Sequence, residues 1–219
     1  EMSFRAGESV PLRESVPAVF RAPSTKWAVA LAVVAFWAML GSLSVLPEFA
    51  DAQPYAVQES YLGIPLFVSI TGAIAIPILS DRFGRRPALR SGILGFAAGF
   101  VVTGFAPTLA VFVLGLLVSG FFSGGLLAML YVLPGELRDV DNAHVGTTSG
   151  VLLSLANVGA VAATATAPFV LSTMGIEIVV AYGVVPLLLG LLFLSRLRLA
   201  DVSRSPTTVA AEHGDGMSR

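Results

Sequence analysis

The residues whose types and spacing suit them to chemistry lie between Ser80 and Pro87, a stretch reading Ser-Asp-Arg-Phe-Gly-Arg-Arg-Pro. One carboxylate, Asp81, stands among three guanidinium groups, Arg82, Arg85 and Arg86. The chemistry this offers is ion pairing, not bond making. Gly84 permits a backbone turn that a Cβ would crowd. Asp81 closes the apolar run before the turn, where a carboxylate can face the positive N-terminus of a neighbouring helix. The three arginines can bridge to Asp81 or to lipid phosphates. The same cluster can also do no more than fix orientation in a membrane; Asp81 within it favours the ion-paired contact.

A second set of polar groups sits inside the apolar runs. Ser42 and Ser44 lie in the first, Ser69 and Thr71 in the second, Ser119, Ser123 and Tyr131 in the fourth, and Ser154, Asn157 and Thr164 in the fifth. Ser44, Ser119, Ser123, Ser154, Asn157 and Thr164 are the candidates for lining a cavity. Hydroxyls in membrane helices ordinarily bond their own backbone or a neighbouring helix. An amide in hydrocarbon must find a partner, so Asn157 is expected either to join two helices or to line a polar cavity.

What is missing excludes several functions. No Asp, Glu, Lys, Arg or His lies deep in an apolar run, and such groups usually mark ion pathways or proton relays. The chain has no cysteine, and His144 and His213 fall outside the runs. No metal site and no cofactor are expected. Ser149-Gly150 follows Thr147, where a serine-protease motif needs Gly, and there is no phosphate-binding Gly-Lys-Ser/Thr loop. The reading is therefore not an enzyme. It is not a nucleic-acid binder either, because the basic residues form short clusters and no continuous face.

The elements that must position these groups are membrane helices. Of 219 residues 55% are hydrophobic and 12% charged, with a mean hydropathy of +0.84; soluble domains carry about 25% charge. Six apolar runs are long enough to cross a bilayer or nearly so: 27–46, 61–79, 88–106, 109–133, 145–173 and 178–194. Gly95 and Gly99, and Gly120 and Gly124, form two G-x-x-x-G pairs, the pattern that allows close helix approach. All thirteen Lys and Arg fall in the two terminal segments, the 80–90 turn or the loop holding Arg138. The alternate loops carry only Glu48, Asp51, Glu59 and Glu177. The positive-inside rule then predicts a multi-pass protein of the cell membrane with both termini cytoplasmic.

Residues 77–87, Pro-Ile-Leu-Ser-Asp-Arg-Phe-Gly-Arg-Arg-Pro, resemble the signature of the major facilitator superfamily, with Pro77 in place of its leading Gly. Pro134-Gly135-Glu136-Leu137 through Gly146-Thr147-Thr148-Ser149-Gly150 is similar to that family's join between the fourth and fifth helices, and Asn157-Val158-Gly159 with Pro168 to the helix that follows. The resemblance implies an all-α membrane fold of six helices, one half of a twelve-helix transporter built as a 3+3 inverted repeat. The fourth run has no Arg and a basic preamble precedes Trp27, which points to the carboxyl half, helices seven to twelve. The implied function is a secondary active transporter moving a small solute by alternating access. Asp81, Arg82, Gly84, Arg85 and Arg86 then form a cytoplasmic latch between halves, holding the outward-open state. The implied partners are a small-molecule substrate, membrane lipid and a second six-helix half, upstream in the same chain or separate. The alternative is a self-standing six-helix protein, a homodimeric pore or scaffold joined through its two G-x-x-x-G faces. Residues 1–26 are expected to be a cytoplasmic tail or inter-half linker, although Leu12–Phe20 has the pattern of a short interfacial helix; 27–198 form the transmembrane domain, and 199–219 a disordered cytoplasmic tail. No apolar signal-peptide core stands near Glu1, and the chain reads as a piece of a longer one.

Overall fold

The computed structural model describes residues 12–199; the expected disordered tail falls almost wholly outside them. Prolines set several of the helix starts, where a missing N–H costs nothing. α1 (Leu12–Arg21) ends at Ala22, held extended (ψ 120) before Pro23, which opens α2 (Pro23–Ser44). Pro47 stands in the first turn of the short α3 (Leu46–Asp51), and Pro65 in the first turn of α4 (Ile64–Phe83). α5 (Arg85–Gly104) follows the basic turn. α6 (Leu109–Val132) is capped by the Thr108 hydroxyl, which accepts from Val111 N at 3.4 Å. Two 3-10 turns, Leu133–Glu136 and Asn142–His144, lead into α7 (Val145–Met174), and α8 (Ile176–Arg196) completes the bundle. Among the described residues six helices are long and apolar enough to cross a membrane, and they coincide with the six runs. The fold is all-α, as the sequence predicts.

Ahead of the first span, the helical pattern of Leu12–Phe20 is realised as α1. Residues 12–26, expected as tail or linker, are helical apart from the bend at Ala22. α1 lies against α7 and the turn before it, and its Ser15 and Val19, four residues apart, are buried. Burial of that face holds a helix which its length and Pro17 alone would not sustain.

The six spans divide into two triplets, α2–α4–α5 and α6–α7–α8, whose packing repeats under exchange. α4 packs on α6 as α2 packs on α7; α5 packs on α6 as α8 packs on α2; α5 and α8 pack on each other. Exchanging α2 with α6, α4 with α7 and α5 with α8 maps this set of contacts onto itself. The two first helices cross the membrane in opposite senses, so the repeat is inverted. The turns repeat as well. A single glycine joins the second helix of each triplet to the third, Gly84 at φ +97 and Gly175 at φ +84, in the left-handed region that side chains avoid. Pro77 and Pro168 stand at equal distances before these two glycines.

Small residues let the helices approach. Along α5 and α6 the facing pairs are Gly92 with Leu126, Gly95 with Phe122 and Gly99 with Ser119. Where α4 crosses α6, a Cβ built on Gly124 would overlap the backbone of Ser69, and one on Gly72 the backbone of Phe121. Both G-x-x-x-G pairs are thus covered within the chain, by α4 and by α6. They are not open faces for a homodimer. The loop after α3 is pinned by the Tyr55 hydroxyl, 3.0 Å from the carbonyl of Ala106, and burial pushes that phenol above its ordinary range.

Candidate functional site

The basic turn is built by Gly84. With α4 stopping at Phe83 and α5 starting at Arg85, the positive φ of Gly84 folds the chain back in one residue. Asp81 is thereby left in the last turn of α4 and Arg85 in the first turn of α5. Arg85 Nη1 lies 2.7 Å from Asp81 Oδ1, and Arg85 Nε lies 2.5 Å from Glu136 Oε1. The same guanidinium meets the hydroxyl of Ser80, which is itself buried and donates to the Pro77 carbonyl. Arg85 and Glu136 are 21% and 19% exposed, whereas Asp81 is 65% exposed. The centre of the cluster is therefore Arg85, gripped by an inner carboxylate and an outer one. The second oxygen of Glu136 is buried with no hydrogen-bond partner among the described residues.

The other arginines do separate work. Arg86 Nη2 donates to the Leu197 carbonyl at 2.5 Å, tying the start of α5 to the end of α8. Arg82 lies over the ring of Phe83 at 5.7 Å and stays exposed. The loop carrying Glu136 is itself clasped. Arg138 N donates to the Arg198 carbonyl at 3.0 Å, Leu137 pairs with Leu199, and the Asp139 carboxylate accepts from Ser24 N at 2.8 Å. Asp139 thereby sits at the positive end of α2. Of the expected latch residues, the fold brings Asp81 and Arg85 together across Gly84 and adds Glu136 to them, while Arg82 and Arg86 find other partners. The Glu136 carboxylate could have been anticipated as the one acid in the loop after α6 whose neighbours are all apolar; pairing it with Arg85 required the tertiary fold.

The polar candidates within the membrane separate into two places. Ser119 and Ser123 border a cavity of about 240 Å³ between α2, α4, α5 and α6, joined there by Ser42, Ser69 and Thr103. Ser154, Asn157 and Thr164 stand along α7, away from that cavity. Ser44 borders neither group; it donates to the Gly41 carbonyl at 2.8 Å. Among the described residues Asn157 joins no two helices; it is exposed and donates to the Leu153 carbonyl of its own helix at 2.8 Å. Thr103 gave no signal in the sequence beyond being a hydroxyl near the end of a glycine-rich run.

Large apolar side chains are exposed on several helices, α8 among them, and the most exposed series lie on α4 and α7. On α4, Phe67, Ile70, Ile74 and Ile78 form an exposed apolar stripe, with Phe67 75% exposed. On α7, Val158, Val161 and Phe169 are exposed beside Asn157 and Ser154. These are the two second helices of the triplets, so the open flanks obey the same exchange as the packing.

Comparison with known proteins agrees with this architecture. The profile of the Major Facilitator Superfamily matches residues 27–215. The inner membrane transport protein YajR of Escherichia coli K12 is 31% identical over 131 residues, which is 55% of this chain and 28% of that protein. A triacylglyceride transporter of Mycolicibacterium smegmatis is 41% identical over 66 residues, 29% of this chain and 12% of that one. The crystal structure of the POT family transporter PepTSo superposes with a TM-score of 0.67 at 17% identity, covering 90% of this chain and 44% of its own. The chain thus spans less than half the length of the proteins it matches. Six membrane-length helices, an inverted triplet repeat, the ion-paired basic turn and the profile match together place it: the chain belongs to the major facilitator superfamily.

Proposed function

We propose that this chain is one six-helix half, the carboxyl-terminal one, of a secondary transporter that moves a small solute by alternating access, with both of its ends in the cytoplasm. The observation that carries this reading is the ion-paired turn at the foot of α4, the helix whose apolar flank has no cover in the chain. Asp81 is the exposed member of that cluster and is free to leave Arg85 for the positive N-terminus of a helix in the opposite half. Arg85 keeps Glu136 when Asp81 leaves, so the turn holds its shape in both states. Closed against the other half, the turn latches the basic side and leaves the opposite side open. The flanks of α4 and α7 are the surfaces that the second half covers, and the solute passes between them. The reading makes the protein a carrier, not an enzyme. A homodimeric pore or scaffold loses its motivation, since the chain itself covers both G-x-x-x-G faces.

The test is Asp81→Asn in the intact transporter, reconstituted in liposomes and assayed with a panel of solutes. Uptake falls while membrane insertion and elution profile stay normal. Unchanged uptake overturns the latch.

A further inference from the structure

Arg196 ends α8 at the basic side of the bundle. Its guanidinium carbon lies 5.9 Å from the centroid of the Trp27 ring, and that ring is stacked at 5.9 Å on Phe193, one turn back along α8. A guanidinium resting on an indole is held in its plane, with its edge donors left to point outward. Arg196 is exposed, and among the described residues its side chain has no ion-pair or hydrogen-bond partner. Lys26, next to Trp27 in the first turns of α2, is exposed and unpaired in the same sense. Arg198 is exposed as well, and its backbone N donates to Ser24 Oγ at 3.3 Å, which brings it to the start of α2. A carboxylate also stands there, Asp139, with one oxygen accepting from Ser24 N. Three cations against that one carboxylate leave this end of α2 and α8 positive.

An apolar stripe leads to the same place. Val185, Leu188, Leu189 and Leu192 are exposed on α8, and Leu192 stands four residues before Arg196. At helical spacing these side chains and Arg196 share one face. The stripe is separate from the flanks of α4 and α7. Trp27 marks where it meets the membrane boundary, since indole rings favour the interface.

We infer that the basic end of α8 is a binding site for one anionic phospholipid, with its phosphate on Arg196 and Lys26 and an acyl chain along Val185–Leu192. A planar guanidinium fork fits two phosphate oxygens at once. A free phosphate would use the cations and leave the apolar stripe unused. A zwitterionic lipid brings its own ammonium to a patch that is already positive, whereas an anionic headgroup meets only attraction. The site needs neither a second half nor a transported solute, so its failure leaves the transport reading untouched, and the reverse.

Bromine-labelled lipids read the site, because bromine quenches an indole that it touches. The chain has two tryptophans, Trp27 and Trp37. Trp37 Nε1 has no hydrogen-bond partner among the described residues, so Trp37→Phe leaves Trp27 as the sole reporter without removing a bond. The full chain with this substitution is reconstituted in phosphatidylcholine vesicles that contain rising fractions of brominated phosphatidylglycerol or brominated phosphatidylcholine. Quenching of Trp27 is expected to show a preference of about five-fold or more for phosphatidylglycerol, the effect of one basic group at an anionic surface. Arg196→Gln brings the two lipids within about two-fold of each other, and Lys26→Gln lowers the preference by roughly half should Arg196→Gln fail to insert. Arg196→Lys keeps the charge without the stacked fork and retains less than roughly half of the preference. Glycerol phosphate at millimolar concentration, the headgroup without its chains, leaves the quenching unchanged. Equal quenching by the two lipids overturns the proposal, as does a preference unaltered in both Arg196→Gln and Lys26→Gln, one unaltered in Arg196→Lys, or loss of quenching with glycerol phosphate.

Discussion

At the scale of single residues, the basic turn divides covered from exposed charge. Arg85 and Glu136 are mostly covered and 2.5 Å apart, whereas Asp81 is largely in solvent. Exposed ion pairs contribute about 0–1 kcal/mol; a hydrogen bond to a charged group that is mostly covered contributes more, about 1.5–3 kcal/mol. Glu136→Gln is therefore expected to lower the melting temperature in detergent measurably, and Asp81→Asn hardly at all. A melting curve on each variant checks this, and an equal loss in both would show that the two carboxylates share one role. Gly84→Ala is expected to cost about 1 kcal/mol or more, because φ +97 is unfavourable for a side chain. Partial proteolysis of the turn reports it.

At the scale of helices, close packing joins the triplets along the spans, and the polar bonds between them lie at the basic face. Most hydroxyls in the spans bond their own helix, as the Ser119, Ser123 and Thr164 bonds illustrate. Helix association in lipid then rests on contact between smooth surfaces. Gly124→Ala drives a Cβ into the backbone of Ser69 and is expected to destabilise the bundle by about 1–3 kcal/mol, the usual cost of overpacking. Gly146→Ala, with open space beside it, is expected to be neutral or stabilising by up to about 1 kcal/mol. Thermal denaturation of the two variants side by side separates them. The same comparison probes the exchange symmetry: a substitution of the α4–α6 crossing and its counterpart where α7 meets α2, Gly159→Leu against Val33, should damage the fold alike.

At the scale of the whole molecule, charge and exposed surface both point beyond the chain. Every Lys and Arg falls in the terminal segments, the 80–90 turn or the loop holding Arg138, the pattern on which the orientation proposed above rests. With no native cysteine, single cysteines report it directly. Glu59→Cys is expected to react with a membrane-impermeant maleimide added to intact cells, and Asp141→Cys only after the cells are opened. The reverse pattern would invert the topology and remove the cytoplasmic latch. Ile74→Arg on the open α4 flank is expected to leave the six helices folded yet weaken capture of the opposite half, measured by crosslinking in membranes.

The sequence by itself determined the number of spans, their order and the location of the charges, because each depends on local composition: a run of apolar residues long enough to cross a bilayer is helical wherever it falls. Gly84 marked a turn, and the placement of Arg82, Arg85 and Arg86 the basic face. The tertiary structure alone decided which groups meet. Glu136 lies fifty-one positions from Arg85 in the chain, and no local pattern pairs them. The G-x-x-x-G motifs announced close contact but not the partner, since a smooth face packs equally on another helix of the same chain or of a second copy. Asn157 stood out in the sequence as the amide expected to join helices or line a cavity, yet it is exposed on α7 while the hydroxyl of Ser119 borders the cavity, a difference set by how the two triplets cross.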